Sequence, residues 1–117
     1  MEEVCRKYDV LTISDEIVTG FGRLGHVFAS EPVFGLAPDI ITFAKGVTSG
    51  YVPLGGMIVS ARLVDEMKAT DHGAVMFAHG FTYSSHPVSC AAGLANLDVI
   101  EREGLLRHVL AAKECGS

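Results

Sequence analysis

The chain has 117 residues, of which 49% are apolar and 20% charged, and a formal net charge of −5. This composition is typical of a folded domain rather than a disordered segment, and the negative charge argues against nucleic acid or an anionic membrane as a partner. The chain has neither an apolar run long enough to span a membrane nor a leader after Met1, and its three cysteines are widely separated. We therefore expect a reduced, cytoplasmic protein.

The two ends of the chain look like parts of longer elements. Residues 2–8 resemble the tail of a helix, and a helical pattern over 105–114 runs towards the last residue without a clear stop signal. The mean hydropathy of +0.35 is high for a small independent unit. These features predict that the chain is the middle part of a longer protein, and no repeat or linker divides it.

Strand and helix signals alternate along the chain, which predicts an α/β fold. Residues 10–14 are apolar or β-branched and predict a buried strand, and 39–43 and 55–60 predict two more. Between the first two strands, residues 20–38 are interrupted by glycine and proline, so we expect an irregular loop with one helical turn.

Three helices are predicted after the third strand. Ser60 is placed to cap a helix that ends near Lys68, and a loop covers 70–86. Pro87 suits the first turn of a helix capped by Ser85 or His86 and ending near Glu103, followed by the helix over 105–114. The apolar residues of the Pro87 helix recur at helical spacing and predict its inward face: Val88, Ala91, Ala92, Ala95 and Val99.

The segment from Gly20 to Gly25 matches the GxGxxG pattern of dinucleotide-binding turns. That pattern should follow a strand directly and open a helix, and here it does neither. A tight loop that needs positive φ angles is therefore the favoured interpretation.

Three histidines recur every seven residues, at His72, His79 and His86, and Cys90 follows four residues later. A zinc site needs two close ligand pairs, and only His86 and Cys90 have such spacing. We therefore predict no metal site.

Lys45 and Asp15 each follow an apolar strand, where a charged side chain is unusual. In an open α/β sheet both strand ends face the crevice where ligands bind. An amine and a carboxylate placed in this way suit pyridoxal phosphate, which is held by a lysine Schiff base and paired with an aspartate at its ring nitrogen. Taken separately, either residue would be interpreted as an ordinary surface charge.

Four segments in order carry a more specific pattern. The series resembles the class III pyridoxal phosphate-dependent aminotransferases, a group that includes ornithine, 4-aminobutyrate and ω-amino acid/amine–pyruvate transaminases, and it covers nearly the whole chain. The segments are SDEIVTGFGR at 14–23, PDIITFAKG at 38–46, GGMIV at 55–59 and HGFTYSSHP at 79–87.

The resemblance implies a part of a fold type I large domain, with a mixed, mostly parallel sheet flanked by helices. The same resemblance implies that residues 1–117 are a partial cofactor-binding domain that lacks the small domain and the N-terminal part. The absent parts include the phosphate-cradling turn, the aromatic stacking residue and the arginine that binds the substrate carboxylate.

The resemblance also assigns roles to five residues. Lys45 would form the Schiff base and move the proton during catalysis, Asp15 would pair with the pyridine nitrogen, and Ile17 would cover one face of the ring. Thr82 would donate a hydrogen bond to the cofactor phosphate of the neighbouring subunit in a homodimer. Phe81 would lie near that phosphate.

Other motif residues are expected to support the site. Glu16 and Arg23 would organise the loop, and Gly55 and Gly56 would allow close packing at the start of an antiparallel strand. Neither His79 nor His86 is expected to be catalytic.

The implied reaction transfers an amino group from an amine or ω-amino acid to a keto acid, with the amine–pyruvate subgroup favoured. Two alternatives remain open from the sequence. One is a relative of the same fold with different chemistry, such as an aminomutase or a decarboxylating transaminase. The other is a noncatalytic remnant.

Overall fold

The computed structural model describes residues 2–70 and 79–115, and its centre is a three-stranded mixed sheet. The strands are β1 (Ile13–Asp15), β2 (Ile40–Phe43) and β3 (Gly56–Val59), in that order across the sheet. β1 and β2 are parallel, and β3 is antiparallel to β2. The predicted α/β class, the mixed sheet and the antiparallel third strand are confirmed.

Within the described residues, five helices and one 3-10 turn accompany the sheet. Ser60 precedes α3, and its Oγ accepts a hydrogen bond from the N–H of Leu63 at 3.5 Å, as expected of a cap. Pro87 is the first residue of α4, but His86 before it caps the helix without a side-chain hydrogen bond. The helices are α1 (Glu2–Lys7), α2 (Ser30–Phe34), α3 (Ala61–Thr70), α4 (Pro87–Arg102) and α5 (Leu105–Cys115), and the 3-10 turn is Lys45–Thr48.

The prediction of a buried first strand over 10–14 is wrong in both extent and burial. β1 begins only at Ile13, which is 63% exposed, and Val10 is 54% exposed. The apolar pattern predicted burial because parallel strands usually have both faces covered. The described elements leave much of this strand uncovered.

The predicted inward face of α4 is also wrong. Val88 is 62% exposed, whereas Gly93 and Ile100 are buried and Asn96 is half-buried. The helix packs on the 3-10 turn, where Gly93 permits a close approach: a Cβ at this position would lie 3.0 Å from the side chain of Leu54. The face of α4 that packs on the turn is therefore the one with Gly93 and Asn96, and not the one marked by the alanine and valine spacing.

The GxGxxG segment forms the tight loop that was predicted. Phe21, Gly22 and Gly25 all have positive φ angles, of 56°, 99° and 83°. The N–H of Phe21 donates to the carbonyl of Val27 at 2.7 Å, which closes the loop on itself. The single helical turn expected within 20–38 is α2.

An aromatic cluster fixes this loop against the sheet. The rings of Phe21 and Phe28 lie 5.4 Å apart, and the ring of Phe43 in β2 lies 5.5 Å from Phe21. Edge-to-face contacts of this kind stabilise cores beyond their area alone. The loop is thereby held close to the end of β2, just before Lys45.

No helix in the part of the chain described here is long and apolar enough to cross a membrane.

Candidate functional site

Sheet topology places Asp15 and Lys45 at the same edge. Asp15 is the last residue of β1 and lies opposite Thr42 in β2, and Lys45 follows the end of β2 after a single residue, Ala44. Since β1 and β2 are parallel, both chain segments leave the sheet on the same side, where ligands bind in open α/β folds. We call this side the carboxyl edge, defined by Asp15 and Lys45.

The carboxylate of Asp15 is exposed and oriented by the loop that follows it. Its Oδ1 accepts a hydrogen bond from the backbone N–H of Ile17 at 3.0 Å. This is the side-chain-to-backbone bond that aspartate commonly makes at turns. Ile17 itself is half-buried, so the residue whose N–H fixes the carboxylate is apolar and partly covered.

Lys45 begins the 3-10 turn with an unusual backbone, since its φ of 42° is in the left-handed region. Its side chain is exposed and has no hydrogen bond or ion pair with any residue described. Gly46 lies against the aromatic cluster, and a Cβ there would approach the Cβ of Phe21 to 3.0 Å. The Lys45 side chain therefore extends from a stretch of backbone that is packed tightly against Phe21.

An open cavity of about 990 Å³ lies beside Lys45, between the Phe21–Arg23 loop, the 3-10 turn and the helices α4 and α5. Asp15, Ile17, Phe81 and Thr82 are not among its lining residues. The structure thus brings Lys45 and Asp15 to one sheet edge, but it does not gather all five predicted cofactor residues around this cavity.

Phe81 and Thr82 lie on an exposed turn before α4. Phe81 is 78% exposed, and its N–H donates to Ser84 Oγ at 2.8 Å. Thr82 is also exposed, and the contacts of α4 with the Lys45 turn include Gly93 and Asn96. At 1.5 Å per residue, the start of α4 lies about 14 Å along the helix axis from Asn96.

Glu16 is the most heavily hydrogen-bonded side chain near the site, and it is only 2% exposed. Its carboxylate accepts hydrogen bonds from Thr19 Oγ1 at 2.8 Å, from the N–H of Ala29 at 2.9 Å, and from both the N–H and the Oγ of Ser30. A carboxylate is favourable at this position because it satisfies the first N–H groups of α2.

Burial by itself raises the pKa of Glu16, but the bonds from Ser30, Ala29 and Thr19 outweigh it, and the pKa lies below its usual range. The predicted role of Glu16 in organising the loop is confirmed. Arg23 is exposed and makes no hydrogen bond or ion pair with the described residues, so its role stays a prediction.

The predicted close packing at Gly55 and Gly56 is confirmed. A Cβ at Gly55 would lie 3.1 Å from the carbonyl oxygen of Phe43, and one at Gly56 would lie 2.7 Å from the Phe43 ring. Side chains at these two positions would displace the end of β2, and with it Lys45.

One residue of the site was missed by the sequence argument. Asn96 of α4 donates from Nδ2 to the carbonyls of Gly46 at 2.9 Å and Val47 at 3.1 Å. Its Oδ1 accepts a hydrogen bond from Ser49 Oγ at 2.6 Å. A polar residue amid the predicted apolar spacing of α4 was the only available signal, and such residues usually face solvent.

The histidine and cysteine series does not assemble into a ligand set among residues 2–70 and 79–115, where no group of three potential metal ligands is found. His72 lies outside the described residues.

The residues at the carboxyl edge fit pyridoxal phosphate. The Lys45 amine has no competing partner among the described residues, and the Asp15 carboxylate has one oxygen fixed by Ile17. An accessible amine and an oriented carboxylate are the two groups that the aldehyde and the ring nitrogen of this cofactor require.

Comparison with known proteins finds similar sequences and similar structures, of which two sequences and one structure are described. A probable aminotransferase of Mycobacterium tuberculosis is 56% identical over 109 residues, which is 93% of this chain and 22% of that protein. A β-alanine–pyruvate aminotransferase of Pseudomonas aeruginosa is 45% identical over 110 residues, or 92% of this chain and 24% of that protein.

One similar structure is that of taurine:2-oxoglutarate aminotransferase from Bifidobacterium kashiwanohense, in complex with pyridoxal phosphate and glutamate. It has a TM-score of 0.79 and 43% identity, and the match covers 92% of this chain and 23% of that one. The chain therefore spans less than a quarter of the length of these relatives. Residues 1–115 match the aminotransferase class-III family, and the chain belongs to that family.

Proposed function

We propose that the protein containing this chain is a pyridoxal phosphate-dependent aminotransferase. It would move an amino group from an amine or ω-amino acid to a keto acid, with pyruvate as the acceptor. The observation that carries the proposal is the carboxyl edge, where a lysine amine with no partner among the described residues and an oriented carboxylate follow two neighbouring parallel strands. The β-alanine–pyruvate activity in the name of one relative supports the choice of substrates.

Three residues of the chain would have separate roles toward the cofactor and the substrate. The cofactor supplies an electron sink for the carbanion at the substrate Cα. Lys45 Nζ would bind the cofactor aldehyde and later carry the proton at the substrate Cα. The carboxylate of Asp15 would hold a proton at the ring nitrogen, and Ile17 would exclude water from one face of the ring.

We also propose a homodimer in which Thr82 reaches the cofactor phosphate of the neighbouring subunit, with Phe81 beside it. Two observations support this assignment. Both residues are exposed on their turn, and the start of α4 lies about 9 Å along the helix axis from Gly93, the nearer of the two named contacts with the Lys45 turn. A hydrogen-bond donor at the position of Thr82 is better suited to the cofactor site of a second subunit than to the site of its own subunit.

The remaining assignments follow from the same proposal. Residues 1–117 would form part of the large cofactor-binding domain, consistent with the family match over 1–115. A cytoplasmic location is supported by the free thiols of Cys5 and Cys90.

Reductive labelling tests the proposal directly. The full-length protein is incubated with pyridoxal phosphate, reduced with borohydride and mapped by peptide mass analysis. We expect one label per chain at Lys45, lost in Lys45→Ala and retained in the matched control Lys68→Ala, whose side chain is exposed on α3. Labels spread over Lys7, Lys68 and Lys113 would contradict the assignment.

A further inference from the structure

The backbone of the Lys45 turn is strained and needs support. Lys45 opens the turn at a φ of 42°, and Ser49 closes it at a φ of 51°. Residues with a Cβ rarely adopt such angles, and they keep them only where the surrounding structure enforces them. The contacts that hold these φ angles therefore also fix the direction in which the Lys45 side chain leaves the backbone.

Backbone hydrogen bonds at the two ends of the turn lie at the long end of the usual range. The N–H of Val47 donates to the carbonyl of Ala44 just before the turn, and the N–H groups of Ser49 and Gly50 donate to the carbonyls of Gly46 and Lys45, at 3.2 Å each. A short 3-10 segment has poor hydrogen-bond geometry and leaves carbonyls without helical partners at its end. These bonds by themselves therefore hold the turn weakly.

Asn96 bonds to this turn from a helix outside it. Nδ2 donates to the carbonyls of Gly46 and Val47 at 2.9 and 3.1 Å, and Oδ1 accepts from Ser49 Oγ at 2.6 Å. The amide thus connects both ends of the turn, and two carbonyl partners on one side fix which atom is the nitrogen.

The approach of α4 makes these bonds possible. Gly93 lies three residues before Asn96 on the same helix face, and a Cβ there would be 3.8 Å from the Val47 carbonyl oxygen and 3.0 Å from Leu54. A Cβ at Gly93 would be in van der Waals contact with the turn and would press on Leu54, so glycine leaves the closest approach open to the helix. Gly93 and Asn96 therefore act together on the turn.

We propose that Asn96 is a positioning residue for Lys45, which holds the strained turn so that the lysine amine keeps one direction at the carboxyl edge. The inference rests on the proposed function of Lys45. Asn96 touches neither substrate nor cofactor in this scheme and acts only through the backbone of the turn. Its effect should appear in the chemistry of Lys45 and not only in stability.

The test uses the full-length protein loaded with pyridoxal phosphate and the isosteric variant Asn96→Asp, which replaces the donor by an acceptor facing two carbonyls. The matched control is Asp98→Asn, the reverse change on the exposed face of α4. We expect Asn96→Asp to lower kcat about tenfold or more with little change in KM, because small misplacements of reacting groups are costly. It should also shift the pH midpoint of the visible absorption of the bound cofactor, and Asp98→Asn should change neither.

Each outcome decides the question. An Asn96→Asp protein with wild-type kcat and pH midpoint, or with a lowered melting temperature alone, would overturn the inference. If this variant does not fold, Asn96→Ala is measured in the same way, since it removes the bonds without adding a charge. Failure of the wild-type protein to label at Lys45 would instead overturn the proposed function, and this inference with it.

Discussion

The two ends of the β1–β2 pair carry similar residues and use them differently. At the amino edge, defined by Thr12, Asp39 and Arg62, the Asp39 carboxylate accepts hydrogen bonds from the Thr12 N–H at 2.9 Å and from Arg62 Nη2 at 2.8 Å. At the carboxyl edge, Asp15 accepts one N–H, and Lys45 has no partner among the described residues.

The difference shows which acid is structural. The bonds of Asp39 join the start of β2 to the residue before β1 and to α3, so its hydrogen-bonding capacity is used within the fold. Asp15 and Lys45 keep capacity for a ligand. Exposed charges usually contribute little to stability. The exposed Asp15 carboxylate and Lys45 amine lie at an edge where ligands bind, so their placement is better explained by function than by folding.

The largest effect is expected from removal of Lys45, and mixed dimers with a Thr82 variant test whether a second copy of the chain contributes to the same site. Lys45→Ala should lose about a thousandfold or more in kcat, since it removes the nucleophile. Mixed dimers of a Lys45→Ala subunit and a Thr82→Ala subunit should regain activity, because one site then combines an intact Lys45 with an intact Thr82 from its neighbour.

Tagged subunits, purified as mixed dimers and assayed for amine–pyruvate transfer, provide this measurement. The two parent homodimers are the controls. Mixed dimers no more active than the Thr82→Ala parent would place Thr82 within its own subunit's site.

A smaller effect on kcat is expected at Asp15, and it should distinguish this aspartate from Asp39. Asp15→Asn removes the charge that would hold a proton on the ring nitrogen, and we expect kcat to fall about a hundredfold, a loss typical of a displaced electrostatic group. Asp39→Asn is the matched change at the amino edge, and it should lower the melting temperature and leave kcat nearly unchanged. Equal losses of kcat in both variants would remove the distinction between the edges.

The smallest effect concerns stability alone. Glu16→Gln should lower the free energy of unfolding by about 2 kcal/mol, since it weakens hydrogen bonds to a buried carboxylate. Because the pKa of Glu16 is lower in the folded chain than its ordinary value of 4.5, its contribution is complete above about pH 4.5 and is lost as the pH falls through the folded value.

Denaturant unfolding of the full-length protein between neutral and acidic pH checks this prediction. The wild-type protein should lose stability on acidification, and Glu16→Gln should lose less. The pKa of Asp39 is also lowered, by the Arg62 hydrogen bond first and by Thr12, so Asp39→Asn is a second variant expected to flatten the profile. A Glu16→Gln profile parallel to the wild type would contradict the role of this carboxylate.

Some features could be predicted from the chain because they depend on neighbours in sequence. Glycine and proline in 20–38 dictated the tight loop and the single turn of α2, and Pro87 marked the start of α4. The positions of Asp15 and Lys45 after two strands placed them at one edge, because parallel strands end on the same side. The burial of residues 10–14 was wrong, since apolar alternation cannot report which elements are present to cover a strand.

The order of amino acids alone was enough to predict the family, the alternation of strands and helices, and the amine and the carboxylate that would meet the cofactor. Which side chains support these two groups depends on how the chain packs in three dimensions. Glu16 became a buried capping group and Asn96 a brace for the Lys45 turn, because their partners lie 13 to 14 and 47 to 50 residues away. Such contacts arise only when distant segments pack, as at Gly93, and no local pattern in the chain encodes them.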